Sequence, residues 1–235
     1  MPEEINRLVT DAITDRFFTT SADANANLRR AGVPETRIHF VGNTMIDTLL
    51  ANLPRLVAPA CWSEFALTDK GYFILTLHRP SNVDRADGLE ALLRSIAAAA
   101  RGLPVILPVH PRTATMLGAM RDLPSSLRLI DAQPYLQFNY LVRSAKAVIT
   151  DSGGVTEEAT VLGVPCLTLR STTERPETVT IGTNVLLGTD PAAIGPALDR
   201  LFAGEWKQGG IPELWDGRAG ERIVAALETW LAPSA

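Results

Sequence analysis

Residues 147 to 158 read Ala147-Val148-Ile149-Thr150-Asp151-Ser152-Gly153-Gly154-Val155-Thr156-Glu157-Glu158, and this stretch decides the fold. An apolar run ending in β-branched residues predicts a buried strand. A small glycine-containing turn ends it, and the run beyond predicts a helix that opens from the turn. Apolar runs of the same kind recur at Arg16 to Thr20, Arg37 to Val41, Tyr72 to Leu77, Val105 to Val109, Ser126 to Ile130, Pro165 to Leu169 and Asn184 to Leu187. Helical candidates lie between them at Ser21 to Ala31, Arg85 to Arg101, Pro134 to Ser144 and Gly153 to Gly163. Alternating strands and helices imply a parallel sheet covered on both faces, so the expected class is α/β.

The segment Asn52 to Gly71, with Pro54, Pro59 and little periodicity, reads as a linker. It separates an N-terminal piece, residues 1–55, from a complete alternating unit, residues 56–210. A C-terminal helix within residues 211–235 is expected to pack back toward the N-terminal piece. That piece holds two predicted strands and about three helices, too few to cover a doubly wound sheet, so it is expected to be incomplete. Asp190 to Gly204 and Gly217 to Leu231 read as helices with no strand between them. Trp215 and Trp230 offer large apolar surface to something beyond their own unit.

Composition narrows the function classes. Of 235 residues 46% are apolar and 20% charged, which suits a globular chain with a sizeable core. The net charge is -4 and no segment gathers Lys and Arg, so the electrostatic footprint of a nucleic-acid binder is missing and an anionic ligand must be held locally. The longest apolar runs, around Tyr72 to Leu77 and Pro104 to Val109, are too short to span a bilayer. Met1 is followed by Pro2, Glu3 and Glu4, so no export leader is expected. Cys61 and Cys166 match neither a zinc spacing nor a redox motif, and two reduced, packed thiols fit the cytoplasm.

The turn after Thr150 has the chemistry of an anion site. Amides at a helix start, the positive end of its dipole and the missing side chains at Gly153 and Gly154 let a diphosphate approach the main chain. Ser152 adds a hydroxyl donor, and in an open parallel sheet ligands sit beyond the C-terminal strand ends, where this turn falls. A structural reading stays open, because Asp or Ser before a helix is also an ordinary N-cap. Downstream, Leu169-Arg170-Ser171-Thr172-Thr173-Glu174-Arg175-Pro176-Glu177 leaves another strand with two guanidinium groups, whose planar forks suit phosphate. The alternative is a surface ion pair of Arg175 with Glu174 or Glu177. His78 and His110 each end a predicted strand and should share a sheet edge with the Ser-Gly-Gly turn, whereas His39 lies inside a strand and reads as structural.

Taken in order, Pro2-Glu3-Glu4-Ile5-Asn6-Arg7, Gly42-Asn43-Thr44-Met45-Ile46-Asp47, Thr76-Leu77-His78-Arg79, Pro108-Val109-His110-Pro111, Asp151 to Glu158 and Thr172 to Glu177 resemble the signature series of the non-hydrolysing UDP-N-acetylglucosamine 2-epimerases. The resemblance covers the whole chain. It implies a glycosyltransferase-B-like fold, in which two Rossmann-like domains face each other across a cleft. Here one such domain would be complete and the N-terminal one partial. It also implies interconversion of UDP-N-acetylglucosamine and UDP-N-acetylmannosamine for cell-surface polysaccharide precursors, with no cofactor and no metal. Its partners would be UDP, the UDP-sugar and, at full length, a second copy in a homodimer, with neither nucleic acid nor membrane.

The resemblance also implies roles. UDP leaves by anti elimination to give an enzyme-bound 2-acetamidoglucal and re-adds with the opposite stereochemistry at C2. By that likeness Ser152 and the amides near Gly153 and Gly154 hold phosphate, Glu158 the ribose hydroxyls, Arg175 the UDP moiety and the loop at Phe138 the uracil. Arg170 joins this nucleotide set, and His110 is a further effector or substrate contact. His78 lies beside the diphosphate and the reacting sugar, Glu3 matches a carboxylate assigned to acid/base work, and Arg7 one turn on is placed to orient it.

Two departures qualify the likeness. The family's His-Arg-Arg-Glu-Asn pattern reads here His78-Arg79-Pro80-Ser81-Asn82, which removes its second Arg and its Glu. Everything the family carries before Pro-Glu-Glu has no counterpart, including an Arg strand-loop and the His-Gly-Asp and His-Val-Glu-Ala-Gly motifs. The chain then reads as a truncated gene product, a piece of a longer protein in which Met1 is internal, or one half of a split enzyme. The 235 residues alone are expected to bind UDP without epimerising at a full rate. A UDP-sugar glycosyltransferase, a hydrolysing epimerase and a non-catalytic UDP-binding fragment are the rival readings. The Pro-Glu-Glu and Thr172 to Glu177 segments favour the epimerase over the first, and the Asp151 to Glu158 and Thr172 to Glu177 segments speak against the second.

Overall fold

The computed structural model describes residues 2–83, 86–109, 114, 117, 120 and 122–232, with only the backbone for Pro2, Glu3, Pro80, Ser81 and Ala86. The chain divides into two compact units, Met1–Ala51 with Pro212–Ala235, and Asn52–Ile211.

The first unit runs α1 (Pro2–Ile13), β1 (Phe17–Thr19), α2 (Ala22–Arg30), β2 (Ile38–Phe40) and α3 (Thr44–Asn52), and its strands pair in parallel with Phe17 opposite Ile38. Ser21 starts α2 by accepting from the Ala24 amide at 3.2 Å, which satisfies one of the orphan donors of a helix start. The C-terminal segment closes onto these elements. Trp215 is fully buried and donates its indole N–H to the Thr20 carbonyl at 2.9 Å, while Asp47 accepts from the Ala219 and Gly220 amides at 3.1 and 2.7 Å. Asp47 thereby caps the last helix of the chain, Ala219–Leu231, from a distant position in the sequence. Gly42 is in the left-handed region at φ +94, and a Cβ there would lie 2.1 Å from the Leu214 carbonyl oxygen, so only glycine permits this approach. Trp215, carried by the C-terminal segment, thus finds its cover against the N-terminal piece. Trp230 stays partly exposed under the Arg16 guanidinium, 5.2 Å from the ring centre.

The second unit contains α4 (Ala60–Glu64), β3 (Phe73–Thr76), α5 (Pro80–Val83), α6 (Ala86–Ala99), β4 (Val105–Val109), β5 (Leu127–Asp131), α7 (Tyr135–Ser144), β6 (Ala147–Thr150), α8 (Gly153–Val161), β7 (Cys166–Thr168), α9 (Pro176–Thr180), β8 (Asn184–Leu186) and α10 (Ile194–Phe202). The final helix, Ala219–Leu231, becomes α11 in this order. The segment read as a linker is corrected here, because α4 lies within it. Its Cys61 is buried, and Trp62 stacks edge-on against Tyr72 and Tyr140 at 5.9 and 5.1 Å. Aromatic packing outweighs the weak periodicity of a short helix.

The six strands are parallel and lie in the order β5-β4-β3-β6-β7-β8. The chain builds outward from β3 on one side, then returns to the other side of β3 to lay down β6, β7 and β8. Successive side chains point to opposite faces, and each face is buried. Phe73, Leu75, Val105, Leu107 and Ile149 join α6 and α10 in one core, whereas Tyr72, Ile74, Ile106 and Val148 join α7 and α8 in the other. Both cysteines are buried and free. Among the described residues no helix is long and apolar enough to cross a membrane.

Candidate functional site

The reversal of strand order places a crevice between the C-terminal ends of β3 and β6, the position where doubly wound sheets take their ligands. Two segments meet there. His78 and Arg79 follow β3, and Asp151, Ser152 and Gly153 follow β6.

Asp151 organises this crevice. Its carboxylate is fully buried and accepts from the His78 amide at 3.2 and 3.1 Å, the Arg79 amide at 2.9 Å and the Asn82 side-chain amide at 3.0 Å. His78 Nδ1 lies 2.7 Å from Oδ1, and the His78 side chain is 54% exposed. Beneath it the Thr76 and Thr150 hydroxyls meet at 2.5 Å, tying the two strand ends together, and the Ser152 amide donates to the Thr150 hydroxyl at 3.0 Å.

Ser152 stands at the N-cap position of α8 in extended backbone, yet its side chain makes no capping bond. The ordinary N-cap alternative therefore does not describe its hydroxyl. A Cβ built on Gly153 would meet nothing closer than Glu174 Oε2 at 3.9 Å, so the start of α8 has an open approach. Behind this helix start, Glu157 and Glu158 are both buried. The Arg175 Nε donates to Glu157, and the Glu174 carboxylate bonds Arg170 instead of Arg175. The alternative of a side-chain ion pair between Arg175 and Glu174 does not form, because a buried carboxylate such as Glu157 needs a charged partner more than an exposed one does.

Arg170, nearly buried, gives both terminal nitrogens to Glu174, and Arg79 Nη2 stands 3.6 Å from the same carboxylate. The Arg170 hydrogen bonds hold Glu174 down at about 2, against a cost of burial, while Arg170 itself is raised. Arg79 Nε is buried without a partner among the described residues.

Glu158 points to α7. Asn139 Nδ2 donates to Glu158 Oε1 at 3.3 Å, and Tyr135 hydrogen-bonds the same carboxylate. Burial raises Glu158 above the usual carboxylate range, and the Tyr135 and Asn139 bonds only partly oppose that. Phe138 lies in a helix, as the reading of Pro134 to Ser144 expected, and not in the loop that the resemblance implied: its amide donates to Pro134 O at 2.8 Å in the first turn of α7. Its ring is half-buried against the second core.

The structure therefore gathers His78, Ser152, Gly153, Gly154 and Arg170 around one sheet edge, with Glu158, Arg175 and Phe138 on the elements just behind it. His110 lies outside the described residues, and Glu3 stands on α1 with its side chain outside them. Arg7, expected to orient Glu3, forms ion pairs with Glu4 and Asp11, both at 2.5 Å. Sequence reading missed Asp151 as a hub, and with it Asn82, Tyr135, Asn139 and Glu157. One signal was available: an acid directly after four strand residues is placed at burial depth and must find donors there. Among the described residues no cluster of three or more His, Cys, Asp or Glu is placed to hold a metal ion.

A family model described as UDP-N-acetylglucosamine 2-epimerase matches residues 1–228. The UDP-N-acetylglucosamine 2-epimerase of Methanocaldococcus jannaschii is 38% identical over 239 residues, covering 97% of this chain and 64% of that protein. Its Escherichia coli K12 counterpart is 35% identical over 243 residues, with 97% and 64% covered. Among solved structures, the M. jannaschii enzyme in complex with UDP-GlcNAc and UDP superposes with a TM-score of 0.80 at 37% identity, covering 97% of this chain and 65% of that one. The Neisseria meningitidis enzyme bound to UDP-GlcNAc gives a TM-score of 0.84 at 30% identity, again over 97% and 65%. The chain is thus α/β of the glycosyltransferase-B-like class, and it spans 64% of the length of these two curated relatives.

Proposed function

Since the chain belongs to the UDP-N-acetylglucosamine 2-epimerase family, we propose that it is the UDP-binding part of an isomerase interconverting UDP-N-acetylglucosamine and UDP-N-acetylmannosamine. The observation that carries this reading is the open helix start at Gly153 beside His78, with Arg170 on the next strand end. A diphosphate there would meet main-chain amides, the Ser152 hydroxyl and guanidinium groups, which are the groups that stabilise charge growing on a leaving UDP. The ribose hydroxyls would donate to Glu158, and the uracil would lie against the Phe138 helix.

In the reaction a base takes the C2 proton as the bond from C1 to the UDP oxygen breaks, leaving a 2-acetamidoglucal. The diphosphate oxygen then re-adds at C1 while a proton returns to the other face of C2. Preorganised donors on the diphosphate make UDP a better leaving group and so lower the barrier to removing a weakly acidic proton. Glu3 is assigned the acid/base role by its family position, and Arg175 and His110 complete the proposed substrate set. The full-length protein is proposed to work in the cytoplasm as a homodimer supplying cell-surface polysaccharide precursors, which sedimentation of the full-length protein tests.

Calorimetry with UDP tests the nucleotide site. Ser152→Ala, Glu158→Ala and Arg175→Ala should each weaken binding by roughly 1 to 3 kcal/mol, the worth of a hydrogen bond to a charged group. Unchanged affinity in all three rejects the assignment. For the reaction, product formed by the full-length protein in heavy water should carry deuterium at C2, and its absence rejects proton exchange through an enzyme base.

A further inference from the structure

We propose that Asp151 is the positioning residue of His78, holding the imidazole as its Nδ1–H tautomer so that Nε2 faces the crevice. The inference rests on the UDP reading above and adds a residue and a proton position to it.

The argument is one of donors and acceptors. A backbone amide and an Asn side-chain nitrogen can only donate, and Asp151 faces the amides of His78 and Arg79 and the Nδ2 of Asn82. Those contacts demand an acceptor, so the carboxylate has no proton to offer the ring. The proton in the 2.7 Å contact between Oδ1 and His78 Nδ1 therefore sits on the histidine. A neutral ring with its proton on Nδ1 has its lone pair on Nε2, and the side chain is half exposed although Nδ1 meets a fully buried carboxylate.

Three features make the arrangement stiff. Asp151 is fully buried and directly follows β6, whose pairing with β3 sets Thr150 opposite Thr76. Asn82 reaches from α5 to Asp151 and also donates to the Leu169 carbonyl at 3.2 Å, linking the β3, β6 and β7 ends. The same carboxylate grips the His78 main chain as well as its ring, so neither can turn independently. An imidazole held this way can accept a proton at Nε2 from a sugar hydroxyl or, once protonated, donate from Nε2 to phosphate without reorienting. Asp151 acts only through His78, so its part is positioning.

The test uses the chain with 15N-labelled histidine, with His78→Gln to assign the signals. Neutral His78 should carry its proton on Nδ1. In Asp151→Asn the side-chain NH2 confronts donors and the ring should move toward the Nε2–H form. UDP affinity should fall about tenfold, the size of one lost charge-assisted hydrogen bond. A purely structural role would lower stability without moving the tautomer. Finding Nε2–H in the wild-type chain overturns the proposal without any variant, which covers the case that Asp151→Asn does not fold. A folded Asp151→Asn with unchanged tautomer and unchanged UDP affinity overturns it as well. Nδ1–H in a wild-type chain that fails to bind UDP supports the positioning and counts against the nucleotide reading alone.

Discussion

The Glu174 carboxylate meets the Arg170 guanidinium as a two-pronged pair, Oε2 lying 2.7 Å from Nη1 and Oε1 2.6 Å from Nη2. That pair stands at the mouth of the proposed phosphate site, since Oε2 is also the nearest atom to a Cβ placed on Gly153. The protein thus keeps a negative charge of its own where a diphosphate is expected.

We predict that Glu174→Gln binds UDP several-fold more tightly, because Arg170 loses its competing anion while the helix start stays open. Calorimetry at neutral pH reads it, and weaker binding would mean that Glu174 orients Arg170 for the ligand. The same substitution alters acid stability. Glu174 is held at about 2 in the fold against an ordinary 4.5, so its stabilisation is present above 4.5 and is lost as pH falls toward 2. Chemical denaturation between these limits should show a shallower decline in the variant.

Glu158 has the opposite sign. Burial raises it above 4.5, so the folded state binds the extra proton, and its contribution to stability, full below 4.5, declines as pH rises through the raised value. Ribose hydroxyls donate best to the ionised form. UDP affinity should therefore be constant well above the raised value and weaken as pH drops through it, whereas Glu158→Gln should bind weakly with no such dependence. An equal pH response in both proteins would remove Glu158 from the ribose site.

Asp47→Ala should destabilise the first unit by about 0.5 to 2 kcal/mol, the usual cost of removing a helix N-cap. Its two contacts go to the Ala219 and Gly220 amides, close to the buried Trp215. Tryptophan fluorescence during urea unfolding reads the loss, and an unchanged midpoint would show that packing alone holds the last helix.

Ile74→Ala should cost about 2 to 5 kcal/mol, because a fully buried aliphatic chain leaves a cavity when truncated. Ile74 lies on the central strand β3 and packs with Ile106 and Val148. Denaturant unfolding measures it, and a loss below 0.5 kcal/mol, the lower bound for even an Ile→Val change, would contradict the close packing on this face.

Much of this protein could be read from local pattern. The apolar runs at Tyr72 to Leu77 and Ala147 to Thr150 became β3 and β6, because a strand buried on both faces must be apolar throughout. The position of the Ser-Gly-Gly turn at a helix start and of His78 and Arg170 beyond strand ends was legible because such ends are set by neighbours a few residues away. The tertiary structure alone decided which strands adjoin, since register and order depend on contacts far apart in the chain. Only that order brings Asp151 to His78, 73 residues earlier. Partner choice among the charged groups was also decided there. Arg175 goes to Glu157 and Glu174 to Arg170 because burial ranks carboxylates by their need for a cation, and burial is a property of the folded chain. Asp47 capping a helix 172 residues away and Trp62 holding a stretch with no clear period follow the same rule.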